Sequence, residues 1–208
     1  MNIKRKNIDI PDIVVGRLPR YLRVLKNLRE TKRTTNSTEL GALLGYSAAQ
    51  IRKDFSQFGE FGKQGTGYDI DFLINQFQQI LQVNQTWDIV LIGVGNLGKA
   101  ILHYRGFEKQ GFFIRGAFDD DPNIVGQKIG NRTVQDFSAL EGMIKEFDVK
   151  IAMIATPASD AQRIAELLVS YGIKAILTYA STILNLPPEI HVEYSDPIVS
   201  LQHMSYYL

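Results

Sequence analysis

Apolar and basic residues alternate at helical spacing near the start of the chain. Between residues 14 and 28, apolar side chains recur every three or four positions, with arginine and lysine residues between them. A stripe with this period predicts an amphipathic helix. Pro19 falls inside the pattern, so it either kinks this helix or belongs to its first turn.

Two short helices are predicted next, because each begins with a capping signal. Asn36 is followed three residues later by Glu39, and Ser47 stands in the same relation to Gln50. Both pairs resemble a capping box at the start of a helix. Gly45 suits the end of the first helix. Two short helices joined by a tight turn that contains glycine predict a helix-turn-helix.

The second of these helices has two different faces. Its apolar face includes Ile51 and Phe55. The opposite face presents side chains of the kind that read a DNA groove, namely Ala49, Arg52, Lys53, Ser56 and Gln57. Residues 59–68 then hold four glycines, with Lys63 near the expected tip of a hairpin. This composition predicts a wing whose lysine enters the adjacent minor groove.

The remaining segments predict one more helix, a linker and an α/β domain. Asp71 is expected to cap a helix that carries the apolar residues Phe72, Leu73, Phe77, Ile80 and Leu81. The polar residues 82–86 are expected to link two domains. Strands are then predicted at residues 87–92, 112–119, 149–156, 173–180 and 191–194, and helices at 99–102, 137–147, 160–171 and 196–207. Such alternation implies a parallel sheet, and the apolar C-terminus requires a partner surface.

Charge is unevenly distributed along the 208 residues. The formal net charge is only +1, but the chain up to Tyr68 holds 13 lysines and arginines against six acidic residues. After Tyr68 the balance is 10 against 16. This segregation is typical of an N-terminal domain that binds nucleic acid, although a solvated basic surface has the same composition.

Composition also limits the class of protein. The 45% of apolar residues can fill the cores of two small domains. The chain has neither an apolar run near 18 residues nor an apolar leader, so a soluble cytoplasmic protein without membrane contact is expected. Cysteine is absent, which excludes disulfides and thiolate metal sites. Redox sensing would therefore need a bound cofactor, and we expect no metal.

A glycine fingerprint follows the first strand of the second domain. Its six residues are Gly93, Val94, Gly95, Asn96, Leu97 and Gly98. Between a strand and a helix, these glycines permit a tight turn, a close approach to a pyrophosphate and close helix packing. Asp119 lies 21 residues beyond Gly98, at the end of the next predicted strand. An acidic residue there binds ribose hydroxyls and repels a 2′-phosphate, which favours NAD over NADP.

Catalysis is weakly supported by the sequence. A dehydrogenase needs a general acid or base beside the nicotinamide. The three histidines are His103, His191 and His203, and none has a setting that suggests this role. We therefore expect that the chain is not an enzyme.

The residues described above resemble the Rex family of redox-sensing transcriptional repressors, and the resemblance extends nearly from end to end. It is carried by residues 17–23, 51–55, 58–63, 93–98, 118–119, 121–122 and 205–208. It implies an N-terminal winged helix-turn-helix domain (1–82), a Rossmann-type parallel sheet that holds NAD(H) (83–194), and a C-terminal helix exchanged between the two subunits of a homodimer (195–208). It also implies that NADH releases the repressor from an inverted-repeat operator in double-stranded DNA.

The predicted site residues form three sets. Cofactor binding is assigned to the fingerprint residues, Asp119, Thr156, Pro157 and Tyr104. DNA binding is assigned to Arg17, Ser47, Gln50, Arg52, Lys53, Ser56 and Lys63. The resemblance further implies that Arg17, Tyr104 and Asp196 couple the DNA domain to the cofactor.

Two departures from the family pattern lie near the expected cofactor. Thr178, Tyr179 and Ser181 stand where the family usually has asparagine, phenylalanine and proline, and Asp120 stands in place of an apolar residue. Two alternatives also remain open. One is an NAD-dependent oxidoreductase with an N-terminal assembly domain, and the other is a DNA-binding regulator that senses another adenine ligand such as coenzyme A.

Overall fold

The protein consists of two compact units that divide between Asn84 and Gln85. The structure is a computed structural model that describes residues 10–59 and 67–208. Lys63 and most of the predicted wing lie outside the described residues. The predicted limits at residues 82 and 194, and the exchange of the last helix, stay predictions.

The N-terminal unit is a helical domain with one small antiparallel strand pair. Its elements are α1 (Asp12–Val15), α2 (Leu18–Leu28), β1 (Thr34–Thr35), α3 (Ser37–Leu44), α4 (Ala48–Ser56), β2 (Tyr68–Asp69) and α5 (Ile70–Ile80), and β1 pairs with β2. The single helix predicted over residues 14–28 is interrupted at Gly16 and Arg17. Pro19 lies in the first turn of α2, where its missing N–H leaves no hydrogen bond unmade.

Both predicted helix caps are confirmed. Asn36 accepts a hydrogen bond from the backbone N–H of Glu39 at 2.9 Å, and Ser47 accepts one from Gln50 at 3.1 Å. Gly45 ends α3 with a left-handed φ of 73°. The reciprocal half of the first capping box does not form, because the Glu39 carboxylate instead accepts from the side chains of Lys32 and Thr35.

The prediction that Asp71 caps a helix is wrong. The cap of α5 is Asp69, whose carboxylate accepts the N–H of Phe72 at 2.8 Å. The backbone N–H of Ile70 bonds to the carbonyl oxygen of Arg33 beside the β1–β2 pair, so strand pairing determines where α5 begins. Phe72, one of the apolar residues that the helix carries, is exposed. The buried residues are Ile70, Leu73, Ile74 and Phe77.

The C-terminal unit is built on a seven-stranded sheet. Its strands are β3 (Trp87–Ile92), β4 (Phe112–Phe118), β5 (Lys128–Ile129), β6 (Arg132–Gln135), β7 (Ile151–Ile154), β8 (Ala175–Thr178) and β9 (His191–Tyr194). The spatial order is β5-β6-β4-β3-β7-β8-β9, and all neighbours are parallel except β5 and β6. Without β5, the six parallel strands have the order 3-2-1-4-5-6 of the dinucleotide-binding fold.

The helices of this unit are α6 (Asn96–His103), α7 (Leu140–Glu146), α8 (Ala158–Ser170) and α9 (Pro197–Ser205). Helix α6 begins earlier than predicted, at Asn96 inside the glycine fingerprint. The short pair β5–β6 was not predicted from the sequence. Helix α9 begins at its cap Asp196, which accepts the N–H of Ile198 at 2.9 Å, and has no buried residue. Among residues 10–59 and 67–208, no helix is long and apolar enough to cross a membrane.

Candidate functional site

The glycine fingerprint forms the turn between β3 and α6, where the strand order reverses. Gly93 has a φ of +90°, and a Cβ atom there would lie 2.7 Å from the carbonyl oxygen of Ala155. A Cβ atom at Gly98 would lie 2.1 Å from the carbonyl oxygen of Gly93, whereas one at Gly95 would meet nothing within 4 Å. Two glycines are therefore needed for packing, and the middle one opens the backbone to a ligand.

The start of α6 can hold an anion. Gly95 is the residue before the helix and offers no capping side chain. The first N–H groups of a helix have no partner within the helix, and its dipole adds positive potential there. Asn96 and Leu97 are exposed in the first turn. This geometry suits a pyrophosphate group.

Asp119 lies immediately after β4 and is fixed against the fingerprint. Its Oδ2 atom accepts the N–H of Val94 at 2.6 Å, and its Oδ1 atom accepts the N–H of Asp121 at 2.9 Å. The residue is 9% exposed. Each carboxylate oxygen can accept more than one hydrogen bond, so the oriented side chain can still receive the two hydroxyls of a ribose.

An open cleft extends from the fingerprint and Asp119 across the carboxyl ends of the strands. It spans about 610 Å³, including space open to solvent, and its apolar lining consists of Ile124, Phe137, Ala155, Pro157 and Ile164. Thr156 also lines it, and the buried Oγ1 atom of this residue has no hydrogen-bond partner among the described residues. A buried hydroxyl without a partner is costly. A polar ligand in this cleft would relieve that cost, so the residues present fit a dinucleotide.

A second open cavity lies near the other side of the start of α6. It spans about 1190 Å³, including space open to solvent, and is lined by Leu97, Tyr179, Ser181, Asp196 and neighbouring residues of the segment 194–200. Burial raises the pKa of the Tyr179 hydroxyl. Three residues at the end of β8 or just after it depart from the family pattern. Two of them, Tyr179 and Ser181, line this cavity. Thr178 is fully buried and accepts the N–H of Ala180 at 3.1 Å.

Tyr104 does not lie with the other predicted cofactor residues. It ends α6 at the terminus opposite the fingerprint, and its ring packs edge-on against Phe107 at 5.2 Å between centroids. It is 63% exposed and lines neither of the two cavities described above. Eight helical residues separate the two ends of α6 by about 12 Å. Within one chain, the structure therefore does not bring Tyr104 to the cleft or to Asp196.

Four of the five residues predicted on the outer face of α4 are exposed, whereas Gln57 is half-buried and follows the end of the helix. Ala49, Arg52, Lys53 and Ser56 all lie on the surface. Lys53 forms no ion pair with any residue that the structure describes, whereas Arg52 donates to the hydroxyl of Ser37 at 3.1 Å. Ser56 donates its hydroxyl to the carbonyl oxygen of Lys53 at 2.8 Å. Lys53 is thus the cation of this face that is most available to a phosphate or base.

Arg17 and Gln50 are held inside the domain by Asp54, a residue that the sequence analysis missed. Arg17 donates from Nε and Nη2 to the two carboxylate oxygens of Asp54 at 2.6 and 2.7 Å. Tyr21 donates to Oδ2 at 2.7 Å, and Gln50 donates to Oδ1 at 2.6 Å. Asp54 is fully buried, and the side chain of Arg17 is only 16% exposed. Arg17 and Gln50 therefore already have a partner other than DNA.

The ionisation of Asp54 depends on these donors. Burial raises the pKa of this carboxyl, but the hydrogen bonds from Arg17, Tyr21 and Gln50 outweigh burial and hold the pKa below its usual value. For the Tyr21 hydroxyl, by contrast, burial and the hydrogen bond to Asp54 both raise the pKa. The sequence did contain one signal of this buried carboxylate, because Asp54 lies between Ile51 and Phe55 on the apolar face of the helix. Its partners on α2 were not visible in the local pattern.

The described residues contain no group of three or more side chains that could hold a metal ion. One unit has an exposed cationic helix face, and the other has a cleft whose residues fit a dinucleotide. Residues 9–56 match a family model described as "Putative DNA-binding protein N-terminus", and residues 84–182 match one described as "CoA binding domain".

Full-length relatives decide the family. The chain is 48% identical to the redox-sensing transcriptional repressor Rex of Chloroflexus aggregans, over 95% of this chain and 94% of the relative. It is 41% identical to the Rex repressor of Carboxydothermus hydrogenoformans, over 97% of both chains. The chain belongs to the Rex family. Members of this family are transcriptional repressors, so the expectation of a regulator rather than an enzyme is confirmed.

Solved structures of the Rex family confirm the fold class. The structure resembles RSP in complex with β-NAD⁺ and operator DNA, with a TM-score of 0.89 and 38% identity, over 95% of this chain and 92% of that one. It also resembles RSP in complex with β-NADH, with a TM-score of 0.85 and 35% identity, over 100% of this chain and 95% of that one. The similarity covers both the winged-helix and the Rossmann-type units.

Proposed function

We propose that this Rex-family repressor binds an inverted-repeat operator and is released from it when NADH replaces NAD⁺. The observation that carries the proposal is the presence in one chain of two features. One is the exposed basic face of α4, the proposed recognition helix, and the other is a fingerprint cleft that fits a dinucleotide. Solved relatives with β-NAD⁺ and operator DNA, and with β-NADH, support the same ligands. A DNA-binding regulator of this kind would act in the cytoplasm.

The cleft residues have separate roles in holding NAD(H). The pyrophosphate would lie at Gly95 and the first turn of α6, and the adenosine ribose at Asp119. Thr156 supplies a hydroxyl that needs a partner. When bound, the cofactor supplies a nicotinamide whose charge differs between its two redox states. The cavity beside Leu97, Tyr179 and Asp196 is the candidate site for this ring.

A homodimer is part of the proposal. Helix α9 and the residues after it expose seven large apolar side chains, namely Ile198, Val199, Leu201, Met204, Tyr206, Tyr207 and Leu208. An apolar patch of this size is typical of an interaction surface. A second copy of the chain would cover it. Tyr104 is also exposed, so it is available for a contact with the partner subunit.

The central test is an operator titration at defined NADH/NAD⁺ ratios. NADH can release the operator only if it binds the DNA-free arrangement more tightly than the DNA-bound one. Typical coupling free energies of about 1 to 3 kcal/mol predict that saturating NADH weakens operator binding by about 5- to 150-fold relative to NAD⁺. Fluorescence anisotropy measures both affinities. Equal affinities would contradict the proposed sensing function.

Lys53→Ala tests the recognition helix. Because the amino group of Lys53 is exposed and unpaired among the described residues, its loss should weaken binding to all operator sequences. If Lys53 contacts a phosphate, the slope of log affinity against log salt should fall by about one. Anisotropy titrations at several salt concentrations measure this slope. Lys174→Ala is the matched control, since it removes an exposed lysine from the other unit. Unchanged binding by Lys53→Ala would remove this residue from the interface.

A further inference from the structure

The cleft beside the fingerprint carries more negative charge than a single ribose contact requires. Four aspartates line it, namely Asp119, Asp120, Asp121 and Asp160. None of the described residues that line it is lysine, arginine or histidine. The same cleft contains the unpartnered hydroxyl of Thr156 and the open backbone at Gly95, which independently indicate a ligand.

Two of the four carboxylates have structural partners that explain their presence. Asp119 accepts the backbone N–H groups of Val94 and Asp121. Asp121 accepts the backbone N–H of Asn123 at 2.8 Å and the side-chain amide of that residue at 2.9 Å, and so stabilises the turn after β4.

Asp120 and Asp160 are less constrained. No hydrogen bond to the Asp120 carboxylate is formed by the residues that the structure describes, and this side chain is exposed at the edge of the cleft. Asp160 accepts a hydrogen bond from the hydroxyl of Ser159 at 3.2 Å and lies 3.8 Å from the guanidinium of Arg163. Arg163 does not line the cleft, and the exposed pair has little strength. Both carboxylates therefore contribute negative potential to the cleft.

We propose that Asp120 and Asp160 exclude adenine nucleotides with an additional phosphate on the adenosine ribose, at either the 2′ or the 3′ position. This inference rests on the proposed function, in which the cleft holds the adenosine half of NAD(H). Any phosphate on the ribose would enter a site with four carboxylates and no cation among its described lining residues. Asp120 is exposed and the Asp160 side chain is 46% exposed, so water and salt partly screen the repulsion between these carboxylates and a ribose phosphate.

This exclusion accounts for the choice of ligand in a domain whose family model is named for coenzyme A. Coenzyme A carries a phosphate on the 3′ position of its adenosine ribose, and NADP carries one on the 2′ position. NAD(H) carries neither. Coenzyme A, NADP and NAD(H) all have the pyrophosphate that the fingerprint is proposed to bind. Repulsion by Asp120 and Asp160 would therefore make the cleft selective for NAD(H) over both coenzyme A and NADP.

Three ligands that differ only in one phosphate test the proposal, namely NADH, NADPH and 3′-phospho-NADH. Isothermal titration of the full chain should show that each phosphate weakens binding by about tenfold at low salt. Asp120→Asn and Asp160→Asn should each restore about threefold of the affinity for the phosphorylated ligands, with NADH affinity unchanged within about twofold. Because salt screens charges, about 0.5 M salt should reduce the difference in affinity between NADH and the two phosphorylated ligands in the wild-type protein. Glu146→Gln, which removes an exposed charge away from the cleft, is the control.

The outcomes separate this inference from the proposed function. If the wild-type chain binds NADH but the double Asn variant keeps the wild-type ratio of affinities, the selective role of Asp120 and Asp160 is wrong. Tight binding of either phosphorylated ligand by the wild-type protein would also overturn it. If the wild-type chain binds none of the three ligands, the proposed function fails together with this inference. Both substitutions preserve side-chain shape, so loss of folding is not expected.

Discussion

Replacement of Asp54 by alanine is expected to lower the free energy of unfolding of the N-terminal unit by about 3 to 5 kcal/mol. This is the usual cost of removing one partner from a buried ion pair. The Arg17 guanidinium would lose two hydrogen bonds in a largely buried position, and the Tyr21 hydroxyl would lose its acceptor. Operator affinity should fall as well, because Asp54 also holds Gln50 of the recognition helix. Urea unfolding followed by circular dichroism measures the stability, and hydrogen exchange in α2 and α4 locates the loss.

Asp71→Ala provides the matched control for this prediction. Asp71 lies in the same unit and also faces an arginine, but its 3.9 Å contact with Arg29 is exposed on both sides. Such surface pairs contribute between about 0 and 1 kcal/mol. If Asp54→Ala cost no more than Asp71→Ala, the buried network would have no special role in stability.

The contribution of ionised Asp54 should also be visible in the pH dependence of the free energy of unfolding. The folded protein holds the pKa of Asp54 below its unfolded value. The ionised carboxylate therefore stabilises the fold above the unfolded value, near pH 4, and this contribution is lost as the pH falls through the folded pKa. Asp54→Asn removes the titrating group, so its unfolding free energy should decline less steeply than that of the wild-type protein below about pH 4.

Gly98→Ala is expected to reduce NADH affinity by on the order of tenfold to a hundredfold and to destabilise the C-terminal unit by about 1 to 3 kcal/mol, the range for overpacking. The new Cβ atom would lie 2.1 Å from the carbonyl oxygen of Gly93 and 3.0 Å from its carbonyl carbon. Both are backbone atoms, so α6 has to move away from the end of β3. That movement displaces the N–H groups proposed to bind the pyrophosphate. Calorimetric titration with NADH measures the effect.

Gly142→Ala is the control that separates this clash from the general effect of adding a methyl group. Gly142 lies inside α7, and a Cβ atom there meets nothing within 4 Å. Alanine favours a helix over glycine by about 0.5 to 1 kcal/mol. Gly142→Ala should therefore be at least as stable as the wild-type protein, with unchanged NADH affinity. Wild-type NADH affinity in Gly98→Ala would contradict the role assigned to the close contact with Gly93.

The features that were predicted correctly depend on residues close together in the chain. The caps at Asn36 and Ser47 each form between positions three residues apart, and the left-handed turn at Gly45 needs only its own backbone conformation. The fingerprint was recognised because a buried strand precedes it and a helix follows it. In each case, local hydrogen bonding and sterics are sufficient to select the conformation.

The errors arose where pairing with a distant segment decided the outcome. The cap of α5 is Asp69 because Ile70 bonds to Arg33, which lies 37 positions earlier in the chain. The strands β5 and β6 are too short to have a recognisable pattern and are stabilised by their neighbours in the sheet. The assignment of Tyr104 to the cofactor and to the coupling triad came only from the family resemblance, and it stays a prediction.

By itself, the sequence determined the order of the two domains, the helix caps at Asn36 and Ser47, the glycine turn and the acidic residue at the end of the second strand of the sheet. It also carried the resemblance to the Rex family. Only the tertiary structure decided which charges meet. Asp54 pairs with Arg17, which lies 37 positions earlier in the chain. Asp120 and Asp160 line the same cleft although 40 positions separate them. The reason is that sequence patterns report neighbours within a few residues, whereas burial and electrostatic potential depend on which distant side chains the folded chain brings together.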